Sequence, residues 1–175
     1  MDVETLKGMI RDIPDWPSPG VSFKDITTLL RDPLAFRFAV TEMASRFRDR
    51  EIDAVVSAEA RGFIIGAALA YELGVAFVPV RKKGRLPHKT ISASYKKEYG
   101  EDTLHMHEDG ILKGERVLLV DDLLATGGTM AASIELVKQL GGKIAGVCFL
   151  IELSYLKGRE RLKGFDVFSL IKYDE

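Results

Sequence analysis

Hydrophobic positions along this chain fall into short continuous runs. Residues 52–57, 75–80, 117–120 and 144–151 are each close to continuous in apolar side chains, as strands buried on both faces of a parallel sheet are. Helical spacing lies between several of them. After Asp32-Pro33, which reads as an N-cap followed by a first-turn proline, Phe36, Val40, Met43 and Phe47 share one helical face. Residues 62–73 and 129–140 read as further helices, the second stopped by Gly141-Gly142. Strands alternating with helices predict βαβ units and an α/β fold: a central parallel sheet with helices on both faces. FDVFSLIKY, near the C-terminus, alternates enough to be a last strand. Two stretches break the rhythm. DWPSPGVSFKDIT is a lead-in punctuated by proline and glycine. RKKGRLPHKTISASYKKEYGEDTLHMHEDG is a long polar insertion of the kind that serves as a lid or binding loop, within which 90–94 and 103–107 can pair as a ribbon.

The length of 175 residues suits one domain with a substantial core. Twenty-five basic against 26 acidic residues leave a net charge of −1, which gives no electrostatic footprint for nucleic acid or an anionic membrane. The single cysteine, Cys148, excludes an intrachain disulfide and fits a reducing compartment. MDVETLKGMI is acidic and lacks a continuous apolar core, so it does not read as a signal peptide. The apolar patch at 62–71 stops at Glu72, short of the ~18–20 residues of a membrane span. The expectation is a cytoplasmic protein with no nucleic-acid or membrane partner.

Chemistry concentrates in VLLVDDLLATGGT, residues 117–129. A buried strand ends in two carboxylates and enters a small-residue loop that opens a helix. In Ala125, Thr126, Gly127, Gly128 and Thr129, small side chains let backbone N–H groups approach a ligand, hydroxyls add donors, and the helix start adds free N–H groups and a positive dipole end. That is a seat for one phosphate. GxxxxGK[ST] and GxGxxG are both missing, so triphosphate and dinucleotide sites lack support. Asp121 and Asp122 would repel a phosphate that touched them, but they suit neighbouring hydroxyls and a carbon that becomes cationic. The pattern predicts a ribose 5-phosphate reacting at its anomeric carbon. Two acids alone would be explained by a helix start; the whole string would not. In EARGF, Arg61 and the adjacent N–H groups are further candidates for phosphate oxygens.

VLLVDDLLATGGT resembles the phosphoribosyl-pyrophosphate signature of the type I phosphoribosyltransferases. PDWPSPGVSFKDITTLL, EARGF, RKKGRLP, ASYKKEYG and ELSYLKGRERL extend the resemblance over essentially the whole chain, and PGVSFKDIT with the EYG loop points to the adenine-specific branch. The resemblance implies the type I fold with a small N-terminal hood: hood about 1–32, core about 33–175, mobile lid about 82–104. It implies transfer of phosphoribosyl from 5-phosphoribosyl 1-pyrophosphate to adenine, with AMP and pyrophosphate as products, Mg2+ as cofactor held by substrate oxygens and water, and a homodimer, for which the apolar surplus near the first helix is suited. By resemblance Glu59, Ala60 and Arg61 bind pyrophosphate, with Glu59-Ala60 the candidate for a cis peptide. Arg81, Lys82 and Arg85 do the same, Arg85 by reaching across the dimer. Glu98 hydrogen-bonds N7 of adenine and moves a proton there, while Tyr99 helps the lid cover the site. Phe23 stacks on the base, and the backbone of Ser22 and Lys24 reads its amino edge. Ser22 stands where relatives often carry a bulkier apolar residue.

Two other readings compete: the same transfer to hypoxanthine, xanthine or orotate, and a non-catalytic sensor of the same ligand. Glu98 and the hood weigh against the first, and the lack of a basic excess or spare length weighs against the second. His105 and His107 alternate on one side of a strand without a third metal ligand at useful spacing. His88 is expected as loop filler or a weak phosphate contact. Cys148, Met130 and Ile134 are expected in the core.

Overall fold

The computed structural model describes residues 1–97 and 100–175. Its N-terminal unit comprises helix α1 (Val3–Gly8), strands β1 (Arg11–Ile13) and β2 (Phe23–Asp25), which pair antiparallel, and a short helix α2 (Thr27–Arg31). There follow α3 (Pro33–Ser45), β3 (Ala54–Ala58), α4 (Arg61–Leu73), β4 (Ala76–Lys82), β5 (Thr90–Lys96), β6 (Glu101–His107), β7 (Arg116–Leu124), α5 (Gly128–Gln139) and β8 (Lys143–Leu153). Two 3-10 turns (Ser154–Leu156 and Gly158–Leu162) lead to β9 (Val167–Tyr173).

Local chemistry explains the helix ends. Asp32 caps α3, its carboxylate accepting from the N–H groups of Leu34 and Ala35 at 2.9 Å each, with Pro33 in the first turn. Gly74, with φ of 69°, ends α4 in the left-handed conformation that only glycine adopts without cost.

The large sheet has the order β5-β6-β4-β3-β7-β8-β9. Its five strands from β4 to β9 in that order run parallel. The expected ribbon forms, β5 against β6, and β6 joins β4 antiparallel, so the polar insertion extends the sheet. The expected central parallel sheet is therefore present, with the ribbon adding two antiparallel strands at this edge. Successive residues serve opposite faces. Val55, Leu118 and Cys148 pack under α3 and α4, with Ile65, Leu69 and Phe47. Val56, Val117 and Leu119 pack under α5, with Met130, Ile134 and Val137. Cys148, Met130 and Ile134 are core residues, as expected.

A second difference bears on the site. The third apolar run was expected to end at Val120, yet β7 continues through Asp121 and Asp122 to Leu124. β8 supplies backbone partners as far as Glu152, so the ladder carries on past the acids. From β3 the chain crosses to β4 on one side, and from β7 to β8 on the other. The order reverses between β3 and β7. In open α/β sheets, the crevice beyond the carboxyl ends of two such strands is where ligands bind.

Candidate active site

Two helix starts open onto that crevice, and among the described residues no side chain caps either of them. The residues that lead into α4 and α5, Ala60 and Gly127, make no side-chain capping bond. α1 and α3, which start elsewhere, are capped by Asp2 and Asp32. The uncapped N–H groups are available to an anion.

At α5, the stretch from Asp121 to Met130 folds around a pocket of about 80 Å³, lined by Asp121, Leu123, Leu124, Ala125, Thr126, Gly127, Gly128, Thr129, Met130 and Phe149. That volume suits a single small anion and is far below the ~300–1,000 Å³ of sites for whole drug-sized ligands. Gly127 has φ of 82°, and a Cβ there would lie 2.7 Å from the Gly158 carbonyl oxygen. A Cβ on Gly158 would overlap the Ala125 carbonyl. The segment GRERL thus backs the glycine loop, and Arg159 anchors it by donating to buried Glu152 (Nε to Oε1, 3.0 Å) and to the Val167 carbonyl (2.8 Å). Gly158 belongs to ELSYLKGRERL, to which sequence reasoning assigned no role.

Asp121 and Asp122 stand side by side at the mouth. Asp122 is buried, and its Oδ2 lies 2.9 Å from Arg61 Nε as an ion pair. Among the described residues that oxygen makes no aligned hydrogen bond, which leaves it able to accept one. Asp121 Oδ1 accepts from the Asp122 N–H at 2.9 Å. Gly62, in the first turn of α4, makes room: a Cβ there would lie 2.6 Å from Asp121 Oδ1. Burial and the neighbouring charge of Asp122 push the Asp121 carboxyl well above its ordinary value. Burial raises Asp122 too, with Arg61 pulling the other way. Arg61 is the ion-pair partner of Asp122 among the described residues; a diol would add hydrogen-bond donors, and a developing cation would add positive charge.

Around Arg61 the predicted residues converge from distant segments. Its guanidinium sits 4.7 Å from the centre of the Phe23 ring. Trp16, half-exposed and not singled out from sequence, meets Phe23 edge-on at 4.4 Å between centroids. Lys24 is buried in the hood, its ammonium 3.2 Å from Asp12 and 4.4 Å from the centre of the Tyr173 ring, and Ser22 donates to the same Asp12 carboxylate. These side chains brace the β1–β2 pair, which leaves their backbone to do any reading. The Glu59-Ala60 peptide is cis. The Glu59 carboxylate accepts from the Lys82 N–H (2.7 Å) and Arg81 Nη2 (3.3 Å). Burial opposes its charge, but those two donors win and hold it below the usual range. Glu59 thereby ties the end of β3 to the end of β4, with Arg81 partly buried and Lys82 and Arg85 exposed. Glu98 and Tyr99 lie outside the described residues.

The histidines sit on the ribbon side of β4. His105 Nδ1 is 3.1 Å from Thr90 Oγ1, and the His88 and His107 rings are 5.9 Å apart. Among the described residues, no group of three His, Cys, Asp or Glu is placed to hold a metal. Burial pushes the Cys148 thiol far up, as suits a core residue.

The chain matches the phosphoribosyl transferase domain family over residues 27–173. It is 58% identical over 168 residues to the adenine phosphoribosyltransferase of Thermotoga maritima, covering 96% of this chain and 97% of that one. The crystal structure of adenine phosphoribosyltransferase from Thermoanaerobacter pseudethanolicus is similar at a TM-score of 0.96 and 52% identity, covering 98% and 99% of the two chains. That of the Giardia lamblia enzyme complexed with 9-deazaadenine is similar at 0.94 and 38%, covering 100% and 99%.

Proposed function

This chain belongs to the phosphoribosyl transferase family, and we infer from its relatives and its cleft that it transfers phosphoribosyl from 5-phosphoribosyl 1-pyrophosphate to adenine, giving AMP and pyrophosphate. The observation that carries the chemistry is the adjacent pair of half-buried Asp121 and buried Asp122, both with raised carboxyls, beside an uncapped glycine loop at the sheet's switch point.

In this reading residues Ala125 to Thr129 hold the 5-phosphate. Asp121 and Asp122 accept from the ribose hydroxyls and stabilise positive charge at the anomeric carbon as adenine N9 displaces pyrophosphate. Glu59, Ala60 and Arg61, with Arg81, Lys82 and Arg85, receive the pyrophosphate. Phe23 stacks on adenine, and the backbone of Ser22 and Lys24 meets its amino edge. Glu98 is the acid at N7, and Tyr99 helps the lid, residues about 82–104, cover the site. The uncapped start of α4 and the convergence of Arg61 on Asp122 and Phe23 support this division.

Mg2+ fits the residues present as a partner of the substrate. Two adjacent carboxylates, with no cage of three ligands among the described residues, suit an ion held chiefly by substrate oxygens and water. Bound there, it would neutralise charge on the departing pyrophosphate. A homodimer is part of the same reading, and the outward side of α4, where Ile64 is 43% and Tyr71 89% exposed, supports it. A cytoplasmic location fits a chain whose one thiol is free.

The test is pyrophosphate release with Mg2+ and 5-phosphoribosyl 1-pyrophosphate, offering adenine, hypoxanthine, guanine, xanthine and orotate in parallel. Release with adenine alone is expected, and Glu98→Ala should then lower kcat by about 10²–10⁴-fold, the usual worth of a positioned acid or base. Preference for another base would overturn the assignment of residues 22–24.

A further inference from the structure

The β5–β6 ribbon touches the glycine loop through one side chain. The Tyr95 ring lies over Gly128 so closely that a Cβ at 128 would sit 2.8 Å from Tyr95 Cδ2. Its hydroxyl accepts from Thr129 Oγ1 at 3.2 Å and donates to Asp102 Oδ2 at 3.4 Å. Both bonds are long for hydroxyls, in the range where small rotations make or break them. Asp102 is also 2.6 Å from Lys97 Nζ and 3.9 Å from Lys82 Nζ. One carboxylate therefore connects the hydroxyl that reaches the glycine loop with a lysine assigned to pyrophosphate. The ribbon is held on α5 at a second point, where Gln139 Nε2 donates to the Ser92 carbonyl at 3.1 Å.

Thr129 has one hydroxyl proton, and here it points to Tyr95. A 5-phosphate in the loop needs that proton. We propose that Tyr95 is a positioning residue that makes the exchange inexpensive: the Thr129 proton turns to the phosphate while the Tyr95 proton turns from Asp102 to Thr129 Oγ1. No proton changes owner, since two hydroxyls rotate together. Thr129 keeps an ordered partner throughout, and Asp102 keeps Lys97. The ribbon thus registers an occupied 5-phosphate site through Tyr95 and passes it to Asp102, beside Lys82. Tyr95 touches neither reacting atom. Its contribution is the orientation of a phosphate donor, and the idea rests on the reading of Thr129 as such a donor.

The experiment is calorimetric binding of AMP and of adenosine to the wild-type protein, Tyr95→Phe, Thr129→Val and the double variant, with melting temperatures alongside. Tyr95→Phe keeps the ring against Gly128, so its melting temperature should stay within a degree or so of wild type. AMP affinity should fall about three- to tenfold, the worth of one hydrogen bond, with adenosine affinity unchanged. The double variant should bind AMP no more weakly than Thr129→Val, because the two groups act as one unit. In steady state the KM for 5-phosphoribosyl 1-pyrophosphate should rise with kcat nearly constant. Wild-type AMP affinity in Tyr95→Phe, an equal loss for adenosine, or additive losses in the double variant would overturn the coupling. Should Thr129→Val itself bind AMP normally, the error would lie in the phosphate assignment instead.

Discussion

The glycine loop takes all but one of its lining residues from a single stretch between Asp121 and Met130, with Phe149 the exception. Across the cleft, the wall that carries Arg61 and Arg81 is gathered from β2, the end of β3, α4, β4 and β7. The loop offers mainly backbone N–H groups at a helix start. The opposite wall offers side-chain charges already engaged with one another: Arg61 with Asp122, and Arg81 with Glu59. A site of backbone groups depends on shape, so its sensitive positions are glycines. A wall of side chains depends on charge balance, so its sensitive positions are the paired ions.

The hardest blow to that contrast would come at the carboxylates, where the two regions meet. Asp121→Asn should lower kcat/KM by about 10²–10³-fold, the scale of losing one group that stabilises transition-state charge. The same change should raise the melting temperature. Because the folded protein raises the Asp121 carboxyl, ionising it costs stability above the raised value, and the cost vanishes as pH falls through it. The gain from asparagine should therefore be largest above the raised value and shrink as pH falls toward the ordinary carboxylate range. Melting curves across that span check the sign; a variant that melts below wild type at neutral pH would mean that the pair is already satisfied by other groups.

Gly158→Ala asks whether the glycine loop is as self-contained as its lining suggests. The added methyl would meet the Ala125 carbonyl and, at 2.9 Å, Leu124 Cδ1. Overpacking of this kind should cost about 1–3 kcal/mol and weaken ribose 5-phosphate binding, with pyrophosphate binding unaffected. Normal ribose 5-phosphate affinity would show that the loop holds its shape without its neighbour. The smallest effect is expected at the hood. Phe23→Leu keeps bulk but loses the aromatic face, and adenine affinity should drop about fivefold, near the lower end of what stacking contributes. An unchanged affinity would remove Phe23 from the base site.

The same contrast explains what could be read from the chain. VLLVDDLLATGGT carries its strand, its acids, its glycines and its helix start in order, so the glycine turn into a helix beside two adjacent acids was legible. Asp32-Pro33 likewise announced α3. Gly158, Tyr95 and Asp102 were not legible as site residues, although Tyr95 stands in the quoted lid stretch and Gly158 in a quoted motif. Gly158 and Tyr95 act on segments at least 31 positions away, through contacts that no local pattern encodes, and Asp102 is linked to the loop through Tyr95. A glycine in a basic segment with no periodic role was the one available hint for Gly158.

Periodicity, capping and turn chemistry act over a few residues, and they alone fix the alternation of strands and helices, the buried runs and the glycine loop with its acids. Long-range packing is what carries β7 through Asp121 and Asp122, adds the polar insertion to the sheet as two strands, sets Arg61 between Asp122 and Phe23, and brings Gly158 and Tyr95 against the loop from separate segments. These features depend on which strands lie side by side and how closely backbones approach, and both are set by packing between segments far apart in the chain.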